Sequence, residues 1–278
     1  MSIKKESYVL NISTQDLNVE DTSDFTIDYS KLYLNPQKEY HLALTSYQLW
    51  NSIYNITTKN NGFAYYNGAT TDGYYIPPGT YSIEDINIAI KKVISDNGDN
   101  PDNITITANY TTFKVDILVK NGYALYLITN GGELYGPEDL INPGGGYGLG
   151  YILGWYKNTG LGGANDLIDT SNSSVGVLYS SPLKVDITNG VDSLLINCSL
   201  VDSKYNLNND EHGQSLYNVI IDAPRGGILQ KNISNPIYQH SSQQGSIHSV
   251  RFYITDQSLN KIDLHGEHVN LTIHIEEV

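Results

Sequence analysis

The segment HGEHVNLTIHIEE gathers His265, Glu267, His268 and His274, nitrogen and oxygen donors of the kind that hold a divalent metal ion. A metalloprotease centre would need H-E-x-x-H on a helix, where positions four apart share a face. The spacing here differs, and the alternation of polar and apolar residues is that of a strand. His268 and His274 do share a strand face. Six residues of extended chain separate them by roughly 20 Å, too far for one ion. Two readings of these histidines remain: side chains that face a neighbouring subunit and titrate near neutral pH, or solvated surface residues.

Other constellations carry less. G-x-S-x-G is absent, and the carboxylate pairs Glu84 with Asp85, Glu138 with Asp139 and Glu276 with Glu277 fall in turns, helix starts and termini, where solvation accounts for them. Gly144, Gly145, Gly146, Gly148 and Gly150 match neither G-x-G-x-x-G nor G-x-x-x-x-G-K-[ST], and no helical periodicity follows them. The turn from Asn208 to Glu211 lacks the D-x-D-x-D-G spacing of a calcium loop. Cys198, the single cysteine, lies in the apolar run SLLINCSLV and reads as a small buried hydrophobe. No catalytic, cofactor-binding or metal residue is assigned, and the chain is read as a non-enzyme without cofactor.

Charge narrows the partners. Thirty acidic against sixteen basic residues give a net charge of -14, and no Lys/Arg cluster exceeds a pair, so no stripe offers itself to a phosphate backbone. Direct nucleic-acid binding is not expected. The N-terminal MSIKKESYVLNIS has no apolar stretch long enough for a signal peptide, and nowhere do about 18 apolar residues run together, so neither secretion nor membrane insertion is expected. N-x-S/T triplets at Asn11, Asn55, Asn103, Asn109, Asn172, Asn197, Asn232 and Asn270 then read as a by-product of an Asn- and Thr-rich composition.

The elements that would carry these residues are mostly strands. From His268 onward, Val269, Leu271, Ile273 and Ile275 point to one face and His268, Asn270, Thr272 and His274 to the other, the pattern of a half-buried antiparallel strand. Val250, Phe252 and Ile254 repeat it upstream. Further strands are expected over 7–12, 25–29, 39–50, 62–66, 104–109, 113–119, 123–128, 183–187, 193–201, 216–221 and 227–229. One helix is expected: Ser82 can cap it, Asp85 completes a capping box, Ile83, Ile86, Ile90, Val93 and Ile94 share a face, Lys91 and Lys92 suit its C-terminal dipole, and Asp96, Asn97 and Gly98 end it. From Gly131 to Ser181 the chain turns Gly- and Tyr-rich around one apolar knot, Leu149 to Trp155, and reads as a long loop insertion. The fold class is all-β: a single jelly-roll β-sandwich over residues 1–278, with one short helix and that insertion at 131–181.

A resemblance bears on function. EYHLALTSYQLWNSIYNI, IPPGTYSIEDINIAI, GLGYILGWY, SSPLKVDITNGVDSLLINCSLVDSKY, LYNVIIDAPRGGI, NPIYQH and ITDQSLNKIDLHGEHVNLTIHI span most of the chain in order. In that order and spacing the chain resembles the penton (minor capsid) proteins of virophages and of Polinton-type and adintovirus-like elements. The resemblance implies a single jelly-roll structural virion protein at the fivefold vertices of an icosahedral capsid, made in the host cytoplasm or nucleus. Its implied partners are itself, as a homopentamer, and a double-jelly-roll major capsid protein. His268, Asn270, Thr272 and His274 form the expected subunit-contact face. The rival is a jelly-roll carbohydrate- or receptor-binding head, in which Trp155 with Tyr147, Tyr151 and Tyr156 would stack on sugar rings.

Overall fold

The computed structural model describes residues 5–17, 19, 21–127, 148–155, 167–169, 176–188, 190–201 and 214–278. In chain order the first strands are β1 (Ser7–Ser13), β2 (Asp24–Leu34), β3 (Tyr40–Trp50), β4 (Gly62–Tyr66) and β5 (Thr71–Tyr75). Helix α1 (Ile83–Asp96) follows, then β6 (Ile104–Asn109), β7 (Lys114–Val119), β8 (Ala124–Tyr126), the single turn α2 (Gly150–Leu153), β9 (Leu167–Asp169) and β10 (Val177–Ser180). The chain closes with β11 (Ser193–Cys198), β12 (Ser215–Ile220), β13 (Ile228–Asn232), β14 (Gln239–His240), β15 (Gly245–Asp256) and β16 (Asn270–Glu277). Among the described residues every strand pairing is antiparallel.

The expected single domain divides into two compact units, Met1–Ile53 with Val191–Val278, and Tyr54–Gly190. The first unit is the jelly roll. Counting β13 and β14 as one interrupted strand on the same side of β3, it has eight strands among the described residues. Numbered one to eight along this unit, they form one sheet in the order 1-8-3-6 (β1-β16-β3-β13/β14) and a second in the order 5-4-7-2 (β12-β11-β15-β2). That interleaving of strands distant in the chain is the double Greek key. One apolar cluster joins the inner faces, with Leu42, Leu44, Leu271, Ile273 and Ile275 from the first sheet and Leu194, Ile196, Val250, Phe252 and Ile254 from the second. β16 sits inside the first sheet, its apolar positions falling on alternate residues; β1 pairs one edge and β3 the other.

An ion cluster fastens the start of β2 to β15. The Arg251 guanidinium donates Nε to Asp24 Oδ1 at 2.8 Å and Nη2 to Oδ2 at 2.7 Å, and Lys261 Nζ lies 2.8 Å from Asp21 and 3.3 Å from Asp24. Hydrogen bonding from Arg251 holds the Asp24 carboxyl below its ordinary range against a smaller opposing effect of burial. A carboxylate whose folded pKa is depressed stabilises above its unfolded pKa, and that contribution fades as pH falls through the folded value. Asp24→Asn is therefore expected to lower urea stability at pH 7, with the deficit shrinking once pH drops below about 4. Paired urea melts at neutral and acid pH check this, and a deficit independent of pH would refute the assignment.

The second unit is inserted in the chain between β3 and β11. It holds two sheets, β10-β7-β6 and β5-β4-β8-β9, with α1 packed on β6. The helix forms as its sequence dictates: Ser82 Oγ accepts from Asp85 N at 3.1 Å while Asp85 Oδ2 accepts from Ser82 N at 3.0 Å. Ile83, Ile86, Ile90 and Ile94 are buried in this unit's own core. Lys91 and Lys92 do not serve the C-terminal carbonyls; they pair with Asp102 and Asp96, each at 2.8 Å. The attraction of a lysine to a nearby carboxylate outweighs its attraction to a partial charge one turn away.

The insertion is larger than 131–181 and has a core of its own. Within the expected loop, α2 and Trp155 are sequestered: Leu149, Ile152 and Leu153 are fully buried and Trp155 is 5% exposed. The strand expected at 183–187 does not form, and β10 precedes it at Val177–Ser180. Backbone N–H groups of Leu183, Val185 and Asp186 instead bond the carbonyls of Gly154, Phe113 and Ile152 at 3.1, 2.9 and 3.1 Å, so this segment ties loops together and joins no ladder. β5 and β14 are not legible in the sequence, since TDGYY lacks alternation and two residues carry no period.

Candidate subunit-contact face

β16 presents Asn270, Thr272, His274 and Glu276 on the side away from the core, as a two-residue period requires. Cross-strand pairing sets Ser13, Asn11, Val9 and Ser7 of β1 beside them in the same order. On the other flank lie Gln48, Ser46, Ala43 and His41 of β3. A bulge at Thr45 keeps this face in register, its Oγ1 donating to the Thr272 carbonyl at 3.0 Å. Gln230 and Asn232 of β13 pair with Gln48 and Ser46, and His240 of β14 with His41. The outcome is a sheet face of amides, hydroxyls and imidazoles with few formal charges. A shallow depression of about 390 Å³ lies among Ser46, Tyr47, Gln48, Gln230, Lys231, Asn232, Asn270 and Thr272.

Three of the four residues expected at a contact face stand together here. His268 precedes β16 and is exposed. His274 is locked: Nε2 is 2.7 Å from Ser7 Oγ, Nδ1 is 2.7 Å from Tyr238 Oη, and the Tyr238 ring meets the imidazole edge-on at 5.8 Å between centroids. With both ring nitrogens engaged, His274 is a fixed surface feature and offers no lone pair to an ion. Thr272 Oγ1 donates to Asn11 Oδ1 at 3.3 Å. His265 sits in a turn beside Asp263, with φ of 53°.

A different histidine cluster is brought together by the fold. Glu39, His41 and His240 converge at the end of the same sheet face, their donor atoms all within 4.8 Å of one another. Glu39 and His41 are two apart on an extended run, a spacing that puts both on one face and is readable in EYHL. His240 lies far along the chain, and only the β3–β14 pairing delivers it.

The remaining sequence candidates have structural roles. Burial pushes the Cys198 thiol up to about 12, which leaves it unreactive at neutral pH. Glu84 and Asp85 open α1. Glu276 and Glu277 are successive strand residues on opposite faces, and Glu277 takes Lys38 Nζ at 2.9 Å. Asn55, Asn103 and Asn197 are buried, and each side-chain amide donates hydrogen bonds inside the protein. A glycan has no access to them. Trp155 is enclosed in the second unit's core, so the sugar-stacking platform loses its central ring. Gly144 to Gly146, Glu138, Asp139, Asn208 to Glu211, Tyr147, Tyr156 and the side chain of Tyr151 lie outside the described residues. Among the described residues no helix is long and apolar enough to cross a membrane.

No family model matches the chain, and no curated protein matches it. Among solved structures it is similar to the selenomethionine-labelled mavirus penton protein, at 12% sequence identity over 98% of this chain and 100% of that one, with a TM-score of 0.48.

Proposed function

We propose that this chain is a penton protein, a homopentamer that occupies the fivefold vertices of an icosahedral capsid and seats against a double-jelly-roll major capsid protein in the virion. The observation that carries the reading is the strand order of the first unit, an eight-stranded jelly roll; the segments that resemble virophage and Polinton-type pentons run in chain order through both units. A rigid sandwich of this kind can present different flanks to its two neighbours, as the heterologous contacts of a closed ring require. The face around Asn270, Thr272 and His274 suits one such contact. Amides and hydroxyls held on a sheet combine buried area with hydrogen bonds, and the scarcity of charge keeps desolvation small.

Native mass spectrometry of the full chain at rising concentration, with and without the major capsid protein, tests this. A pentamer is expected, either alone or on addition of the capsid protein. Thr272→Arg should melt like wild type yet lose the pentamer. A stable dimer indifferent to the capsid protein would overturn the penton reading, whereas a pentamer that survives Thr272→Arg would move the contact to another face.

A further inference from the structure

We propose that Glu39, His41 and His240 form a binding site for one divalent transition-metal ion of the zinc class. Antiparallel pairing sets His240 of β14 directly opposite His41 of β3, and Glu39 lies two residues before His41 on the same extended run. Glu39 Oε1 is 2.9 Å from His240 Nδ1 and 3.7 Å from His41 Nε2, and the two imidazoles meet edge-on with centroids 4.3 Å apart. Donors around a four-coordinate zinc ion, at bonds of about 2.0–2.1 Å, lie roughly 3.3 Å from one another. Small side-chain rotations bring these three to that spacing.

The His41 ring supplies the second observation. Its Nε2 is a buried atom with no hydrogen-bond partner among the described residues, although it is directed toward the cluster. An ion pair between Glu39 and a protonated His240 would leave that nitrogen unsatisfied, and buried polar atoms are rarely left so. A metal ion satisfies all three donors at once. Lys38 does not compete for Glu39: its ammonium lies 2.9 Å from Glu277 and 3.5 Å from Glu6. Glu276, opposite His41 in the β16 register, adds negative charge on the same face. Two imidazoles and one carboxylate select a borderline ion over calcium or magnesium, which require more oxygen ligands. Glu39 and His240 are exposed, so a fourth position is open to water. The ion would clip the two-residue strand β14 onto β3, since one ligand comes from β14 and the others from β3 and the residue preceding it.

The test uses the full chain stripped of metal with a chelator and titrated calorimetrically with ZnCl2, CoCl2, CaCl2 and MgCl2. One zinc or cobalt ion per chain is expected, with calcium and magnesium silent and the melting temperature rising only with the transition metals. His240→Asn and Glu39→Gln alter exposed side chains and should fold; each is expected to weaken zinc binding by at least about tenfold. His248→Asn, at an exposed position of β15 in the other sheet, should bind like wild type. Absence of zinc binding, calcium binding of equal strength, unchanged binding in both His240→Asn and Glu39→Gln, or loss of binding in His248→Asn would each overturn the site.

Discussion

Leu271→Asp and Ile273→Asp are each expected to abolish the folded state of the jelly-roll unit, while Thr272→Asp, between them, leaves it standing. Leu271 is 3% exposed and Ile273 1%, and both enter the cluster that joins the two sheets of this unit. The surroundings of a carboxylate there would be apolar side chains. It must either remain ionised in that layer or take up a proton, and both outcomes cost about 4 kcal/mol or more. Typical domains have roughly 5–15 kcal/mol in all, so either substitution removes most of the margin. Because the side-chain period of a strand is two, Thr272 points to the opposite face, where its hydroxyl meets Asn11. Soluble yield and thermal melting of the three variants decide the matter. Unfolding by Thr272→Asp with wild-type melting of Leu271→Asp would mean that the register of β16 is inverted.

The second large effect is expected at Gly154. Its φ is +86°, and a Cβ built there would lie 2.6 Å from the Leu183 carbonyl oxygen and 3.2 Å from that of Lys184. Both obstacles are backbone, so relief requires moving the segment whose Leu183 N–H bonds the Gly154 carbonyl at 3.1 Å. Gly154→Ala therefore combines the left-handed penalty of about 1–2 kcal/mol with displacement of a segment bonded to α2. Gly98 provides the comparison: φ is +84°, yet nothing lies within 4 Å of an added Cβ. Gly98→Ala should cost only the conformational part, about 1–2 kcal/mol. The chain has two tryptophans, so a Trp50→Phe background leaves Trp155, buried in the second unit, as the fluorescence reporter for urea unfolding. Equal midpoints for the two alanine variants would show that the approach of residues 183 and 184 to Gly154 is not a packing constraint.

Much of the fold is legible locally. Alternation of Val269, Leu271, Ile273 and Ile275 defines β16 and its buried face, because a two-residue period leaves one arrangement in which all four avoid water. Ser82, Asp85 and the isoleucines at helical spacing define α1, since capping and amphipathicity act within a few residues. The outward positions of β16 follow from the same period, which is enough to set Asn270, Thr272 and His274 together on the side away from the core.

Long-range pairing is not legible. The separation of residues 54–190 into a second compact unit depends on which apolar faces meet, and an apolar residue carries no label saying whose core it joins. Ile117 and Ile273 read alike as alternating strand residues, yet they enter different clusters. The sequence by itself determined most of the strands, the helix and the outward face of β16, because each follows from the period and chemistry of neighbouring residues. Tertiary structure alone decided that Leu183 to Asp186 bridges loops instead of joining a ladder, and that His240 meets His41 and Glu39 in place of the more conspicuous His265, His268 and His274. Pairing between strands distant in the chain is set by the whole core's burial, and no local pattern encodes it.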